Sequence, residues 1–159
     1  MPLIHALLPL LIAAAGAPEP PRFDAIRFFT GATEGVGRFK VVFRSAKAVR
    51  VEGRGRMEDG VLVLDQRIAR EGAAPTTRQW RIREIAPGRY AGTLTDARGP
   101  ITGESVGGRL RLRYTSTGGY AVEQWLTLAP DGRSARNRLT ARKLGVTVAT
   151  LDETIRKTD

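Results

Sequence analysis

From residue 38 to residue 156, apolar and polar residues alternate in short runs parted by glycine-containing turns, and this period of two constrains the fold more than any other feature. It is the period of a β-strand with one buried face. The stretch 38–44 (RFKVVFR) sets Phe39, Val41 and Phe43 against Arg38, Lys40 and Arg44. In 49–57, Val49, Val51, Gly53, Gly55 and Met57 oppose Arg50, Glu52, Arg54 and Arg56. Asp59-Gly60 is a hairpin signal, after which 61–68 brings Leu62, Leu64 and Ile68 into register. A short-looped hairpin follows, 78–85 (RQWRIREI) turning at 86–88 into 89–96 (RYAGTLTD). Further strands are expected at 101–106, 109–115, 120–128, 135–143 and 146–156, separated by turns such as Gly107-Gly108, Gly118-Gly119 and Asp131-Gly132. A short helix is expected from Asp24, stopping at Gly31.

Nine or ten antiparallel strands with short connections predict an all-β chain, and an up-and-down sheet that closes on itself removes its exposed edges. A lipocalin-like barrel is therefore expected. A strongly curved meander folded over the short N-terminal helix is the alternative. An outer-membrane barrel is not expected, because the faces opposite the apolar ones carry Arg81, Arg83, Arg109, Arg111 and Arg113, which a lipid-facing wall does not tolerate.

Residues 1–17 (MPLIHALLPLLIAAAGA) have the shape of a secretory signal, with cleavage expected after Ala15 or after Ala17. The apolar run is shorter than the ~20 residues of a spanning helix. With no cysteine for a lipid anchor, a soluble periplasmic or secreted protein is expected. The organisation read from the chain is a signal over 1–15 (or to 17), a Pro-rich spacer and helix over 16–31, and one barrel domain over 32–158. About 140 residues remain after the leader, an ordinary size for one domain.

The only histidine is His5 and cysteine is absent, so Ser-His-Asp and Cys-His systems and His/Cys zinc sites cannot be assembled beyond the leader. A non-enzymatic protein without cofactor or metal is the expectation. Gly103-Glu104-Ser105-Val106-Gly107 fits the nucleophile-elbow formula, yet it lacks both the strand-turn-helix context and a histidine base. Paired carboxylates are the acid/base scheme that composition leaves, with Asp96 and either Glu104 or Glu84 as the candidates, and nothing in the spacing selects such a pair.

Several apolar faces carry polar residues, and a small barrel's interior is either packed core or ligand cavity. Trp80, Tyr90, Asp96, Tyr114, Gln124 and Asn137 are the candidate cavity residues. For Asp96, as for Glu84, the alternative is a strand end reached by water. The net charge of +10 and pI near 11.1 favour anionic neighbours, phospholipid head groups or lipopolysaccharide among them. Arg109, Arg111 and Arg113 on one strand face are the candidate contacts to such a surface, with a solvated face as the alternative. Aromatic residues are 6 % of the chain and do not cluster with basic ones, which argues against nucleic acid.

The segments 27–31 (RFFTG), 89–96, 99–104, 107–114 (GGRLRLRY), Asn137-Arg138 and 143–146 (KLGV) resemble the ordered blocks of an uncharacterised bacterial family, domain of unknown function 3833. The resemblance implies a small envelope protein, and many members are predicted lipoproteins. This chain lacks the lipoprotein cysteine, and it has Gly35-Val36-Gly37 where the family carries an early Trp-Gly block. Glu123-Gln124 stands ahead of Trp125 where acidic residues are usual. Trp80, Tyr90, Asp96 and Asn137 are the matched positions expected to matter.

The function expected from the sequence is that of an exported, non-enzymatic envelope protein holding an apolar or amphipathic, lipid-like ligand in its barrel. A packed barrel whose cationic surface meets anionic lipid, lipopolysaccharide or an acidic partner is the alternative, and a carboxylate-based hydrolase the minor one.

Overall fold

The computed structural model describes residues 21–159. The expected leader, His5 and the spacer up to Pro20 lie outside the described residues. A one-and-a-half-turn helix, α1 (Ala25–Phe29), precedes ten strands: β1 (Gly31–Val41), β2 (Lys47–Glu58), β3 (Val61–Arg70), β4 (Thr76–Ala86), β5 (Arg89–Leu94), β6 (Ala97–Val106), β7 (Arg109–Ser116), β8 (Ala121–Leu128), β9 (Ser134–Lys143) and β10 (Val146–Lys157). Each strand pairs antiparallel with the next, and β1 pairs with β10 from Thr33↔Lys157 to Val41↔Ala149. Of the two expected all-β forms, the closed lipocalin-like barrel is the one adopted.

The helix begins where Asp24 accepts a hydrogen bond from the Arg27 backbone N–H at 3.0 Å, a side-chain N-cap. Five residues are too few to be helical alone, so packing holds the segment in place. Phe23, Phe28 and Phe29 are buried among Leu62, Ile82, Tyr90, Ile101, Leu110 and Leu126, and with them plug one end of the barrel. The Phe23 N–H donates to the Gly107 carbonyl at 2.9 Å, and the Ser105 hydroxyl donates to the Phe23 carbonyl at 2.5 Å, tying the plug to the β6–β7 turn.

Among the described residues no helix covers the other end, where the β1–β2, β3–β4, β5–β6, β7–β8 and β9–β10 hairpins turn. There the inward members of the alternation, Phe39, Ile68, Leu139 and Leu151, are only half-buried, so the rim at this end is exposed to solvent. A recess of about 500 Å³ at this mouth is bounded in part by Phe39, Val41, Lys47 and Arg70, with the Arg70 guanidinium 5.4 Å from the Phe39 ring centre.

Three details differ from the alternation as read. The first strand starts at Gly31 rather than at Arg38, because Gly35 and Gly37 belong inside it: a Cβ on Gly37 would stand 2.1 Å from the Asp152 carbonyl oxygen of β10. Phe43, expected on the inner face with Phe39 and Val41, lies beyond β1 in the turn, fully exposed at φ +64°. Tyr120 and Asp96 fall just outside β8 and β5, where the hairpins have already begun to turn.

Candidate functional site

Above the apolar floor, the inward positions of six strands change character. The alternation that points Leu64, Ile82, Leu112 and Leu126 into the core also carries Gln66, Arg78, Trp80, Tyr114, Gln124, Asn137 and Glu153 to the inner face, building a closely packed polar chamber between plug and mouth in which Trp80, Gln124, Asn137 and Glu153 are at most 6% exposed. One side of it is a chain of contacts. The Gln66 Oε1 accepts from both the Trp80 Nε1 and the Arg78 Nε at 2.8 Å, and the Arg78 guanidinium lies 5.3 Å from the Trp80 ring centre. Trp80 meets Tyr114 edge-on at 5.6 Å, and the Gln124 Nε2 donates weakly to the Tyr114 hydroxyl at 3.4 Å.

Across the lumen, the Asn137 Nδ2 donates to the Glu153 Oε2 at 2.9 Å, both residues being deeply buried. Gly35 makes room for this carboxyl, since a Cβ there would stand 2.0 Å from the Glu153 Oε1. Two acceptors in the chamber, Asn137 Oδ1 and Glu153 Oε1, have no hydrogen-bond partner among the described residues. Such an orphan costs about 1–3 kcal/mol in an interior.

Burial pushes the Glu153 carboxyl above its ordinary value of 4.5, against the smaller opposing pull of the Asn137 hydrogen bond and the Arg78 charge. Tyr114 is raised as well, chiefly by burial, while Arg78 and Gln124 act in the opposite direction. Because the folded protein binds the Glu153 proton more tightly than the unfolded chain, the stability this group contributes is complete below the unfolded value. It declines as pH rises through the raised folded value. Glu153→Gln removes that decline, so unfolding midpoints taken across a pH series should show the variant gaining on the wild type above the ordinary carboxylate range. A wild type that gains on the variant as pH rises would reverse the assignment.

The residues read from sequence divide between places. Trp80, Tyr114, Gln124 and Asn137 come together in the chamber. Tyr90 does not join them: it points inward but at the plugged end, buried, with its hydroxyl accepting from the Ala25 N–H at 3.3 Å. Asp96 does not either, because β5 ends at Leu94 and leaves it exposed in the turn at the open end. Glu84 and Glu104 lie toward the opposite, plugged end, so the carboxylate pairs Asp96–Glu84 and Asp96–Glu104 are not assembled. Arg109 and Arg111 lie over the outward-facing Trp125 ring at 4.1 and 5.3 Å, and Arg111 pairs with Glu123 at 2.5 Å, which holds the Glu123 carboxyl below its usual range; Arg113 is exposed beside them. Among the described residues no group of three or more His, Cys, Asp or Glu could hold a metal ion.

Glu153, Arg78 and Gln66 were missed from the sequence. The signal was present, since each is flanked two residues away by an apolar inward residue: Leu151 and Ile155, Trp80, and Leu64 and Ile68. A trough of about 800 Å³ along β1–β4 is lined by Glu34, Glu52, Arg54, Asp65 and Arg67 among others, and Gln66 and Arg78 of the chamber border it as well. Its acidic residues are answered by neighbouring arginines, as in Arg50–Glu34 at 2.8 Å and Arg56–Asp65 at 2.5 Å, whereas the chamber's orphan acceptors are unanswered. The chamber is therefore the better candidate.

Residues 13–157 match the family described as "Protein of unknown function (DUF3833)". No curated protein matches the chain by sequence. Among solved structures, the S-type phycobiliprotein lyase CPES from Guillardia theta is similar with a TM-score of 0.65 at 5% identity, covering 84% of this chain and 90% of its own. Rv2717c from M. tuberculosis is similar with a TM-score of 0.65 at 15% identity, covering 85% of this chain and 96% of its own. At these identities the likeness is one of fold. It corrects the expectation of a non-enzymatic protein: a lyase is built on this fold, so the fold is no ground for excluding catalysis.

Proposed function

We propose that this chain, which belongs to the DUF3833 family, binds an amphipathic small molecule inside its barrel, the polar head in the chamber and the apolar body toward the mouth. The observation that carries the reading is the pair of unpartnered acceptors, Asn137 Oδ1 and Glu153 Oε1, in an inner-face layer that also holds the donors of Arg78, whose charge acts on Glu153, and of Tyr114. Buried polar atoms are normally satisfied, and orphans in an otherwise well-paired barrel suit a site awaiting a ligand. A head that both accepts and donates, such as a carboxylic acid or an amide, answers the two sides at once. Val49, Val51, Ile68, Leu139 and Leu151 on the inner face between chamber and mouth suit an acyl or other lipid-like body. Glu153 is the chamber's proton-exchanging carboxyl, so any chemistry performed on the head would begin there. The apolar leader supports a periplasmic or secreted setting, where such molecules come from the envelope.

Native mass spectrometry of protein purified without detergent tests this reading, with extraction and identification of whatever denaturation releases. A one-to-one adduct with an acidic or amide head supports it. A bare protein mass that stays bare after incubation with long-chain fatty acids and acyl amides overturns it.

A further inference from the structure

Because β1 pairs with β10, the β1–β2 and β9–β10 hairpins stand side by side at the open end. Each tip carries a large apolar residue entirely in solvent, Phe43 at 102% and Leu144 at 98% exposure. Val41, Val42 and Val146 beside them are exposed as well. Both tip residues have left-handed backbones, φ +64° for Phe43 and +49° for Leu144, where glycine or asparagine is the ordinary choice. The chain thus places apolar side chains at turn positions that favour polar ones on two separate grounds, solvent and backbone.

The flanks are uniformly basic. Residues 38–47 contribute Arg38, Lys40, Arg44 and Lys47, and residues 139–148 contribute Arg142 and Lys143, with no acidic residue in either stretch. Lys143 also lies over Tyr120 of the neighbouring β7–β8 hairpin, 5.0 Å from its ring centre. The nearby acid Glu71 is engaged, accepting from the Ala48 N–H at 3.1 Å.

We propose that this rim is a membrane-docking surface for anionic phospholipid, with Phe43 and Leu144 inserted among the acyl chains and Arg44, Lys47, Arg142 and Lys143 set against the phosphates. An apolar insert combined with a basic surround is the pair of signals that gives stable peripheral attachment. Protruding tips suit a fluid layer that moulds around them. A second copy of the chain would bring two cationic rims together, which their charge opposes. Docking of this kind points the barrel mouth at the bilayer, and it does not depend on what the lumen holds.

The test is co-sedimentation with vesicles of phosphatidylglycerol and phosphatidylcholine, against phosphatidylcholine alone, at low and high salt. Wild type should partition onto the anionic vesicles at low salt. Phe43→Ser/Leu144→Ser and Arg44→Glu/Lys143→Glu should each lower that partition about tenfold or more. These sites are exposed, so circular dichroism should show an unchanged fold. The chain has no cysteine, which allows a polarity-sensitive dye at Phe43→Cys alone; its emission should shift to the blue on anionic vesicles, while the same dye at Ile85→Cys, exposed at the plugged end, should not respond. Four results overturn the proposal: no wild-type binding at low salt; undiminished binding by the serine variant; a wild-type dimer that the serine variant turns into a monomer; or binding lost only in Arg109→Glu/Arg111→Glu/Arg113→Glu.

Discussion

Phe23→Ala should cost the barrel about 3–5 kcal/mol of stability, the range for truncating a buried aromatic whose surroundings cannot collapse. For a domain of this size that corresponds to a fall of roughly 10 °C or more in the thermal midpoint. Phe23 is 0% exposed, its ring centre lies 5.1 Å from that of Phe28, and its backbone is fastened at both polar atoms to the β6–β7 end of the barrel. The surrounding strands are locked in a closed ring and cannot move in to fill the space, while the helix is too short to reposition as a unit. Phe23→Leu, which retains much of the apolar volume, should lose far less. Urea and thermal unfolding followed by circular dichroism give both numbers. A loss below about 1 kcal/mol for the alanine variant would show that the plug is an ornament on a barrel stable without it.

Arg78→Leu should weaken retention of an acidic ligand by about 10- to 150-fold, the equivalent of one charge-assisted hydrogen bond worth about 1.5–3 kcal/mol. The substitution is chosen because it spares the fold: Gln66 keeps the Trp80 Nε1 as a donor when the Arg78 Nε is gone, and leucine suits the neighbouring indole. The field of Arg78 reaches both Tyr114 and Glu153, so its loss should leave the Glu153 proton held more firmly still. Titration with a fluorescent long-chain fatty acid reads the effect. Equal affinity in wild type and variant, with unfolding curves superimposed, would place the head of the ligand elsewhere.

Much of this barrel was legible because a closed meander needs little beyond local instructions. Alternation named the inner face of nearly every strand, and Asp59-Gly60 and Gly107-Gly108 fell where hairpins turn. The errors share a cause, which is that a strand's end is set by its partner. The first strand, expected from Arg38, already includes Gly35 and Gly37, whose missing side chains let β10 and the Glu153 carboxyl approach. Phe43 read as core because it kept the period of Phe39 and Val41, but the pairing with β2 had already run out. In the site, Trp80, Tyr114, Gln124 and Asn137 stood out as polar or aromatic interruptions of apolar faces. Arg78 and Glu153 did not, because in a chain this rich in charge an arginine or glutamate is assigned to the outside. Only the neighbours two residues away betray that these two point in.

The pairing of β1 with β10 joins the two ends of the chain, whereas every other seam joins strands adjacent in sequence. A polypeptide leaving the ribosome can therefore zip up hairpin by hairpin, yet it remains an open sheet with bare edges until residues 149–157 arrive to meet residues 33–41. Completion is a single late event. A product ending at Leu144 forfeits two seams at once, exposes β1 and β9 as sticky borders and arrives without Glu153, so β10 decides whether the first strand is ever shielded from its neighbours in a crowded compartment.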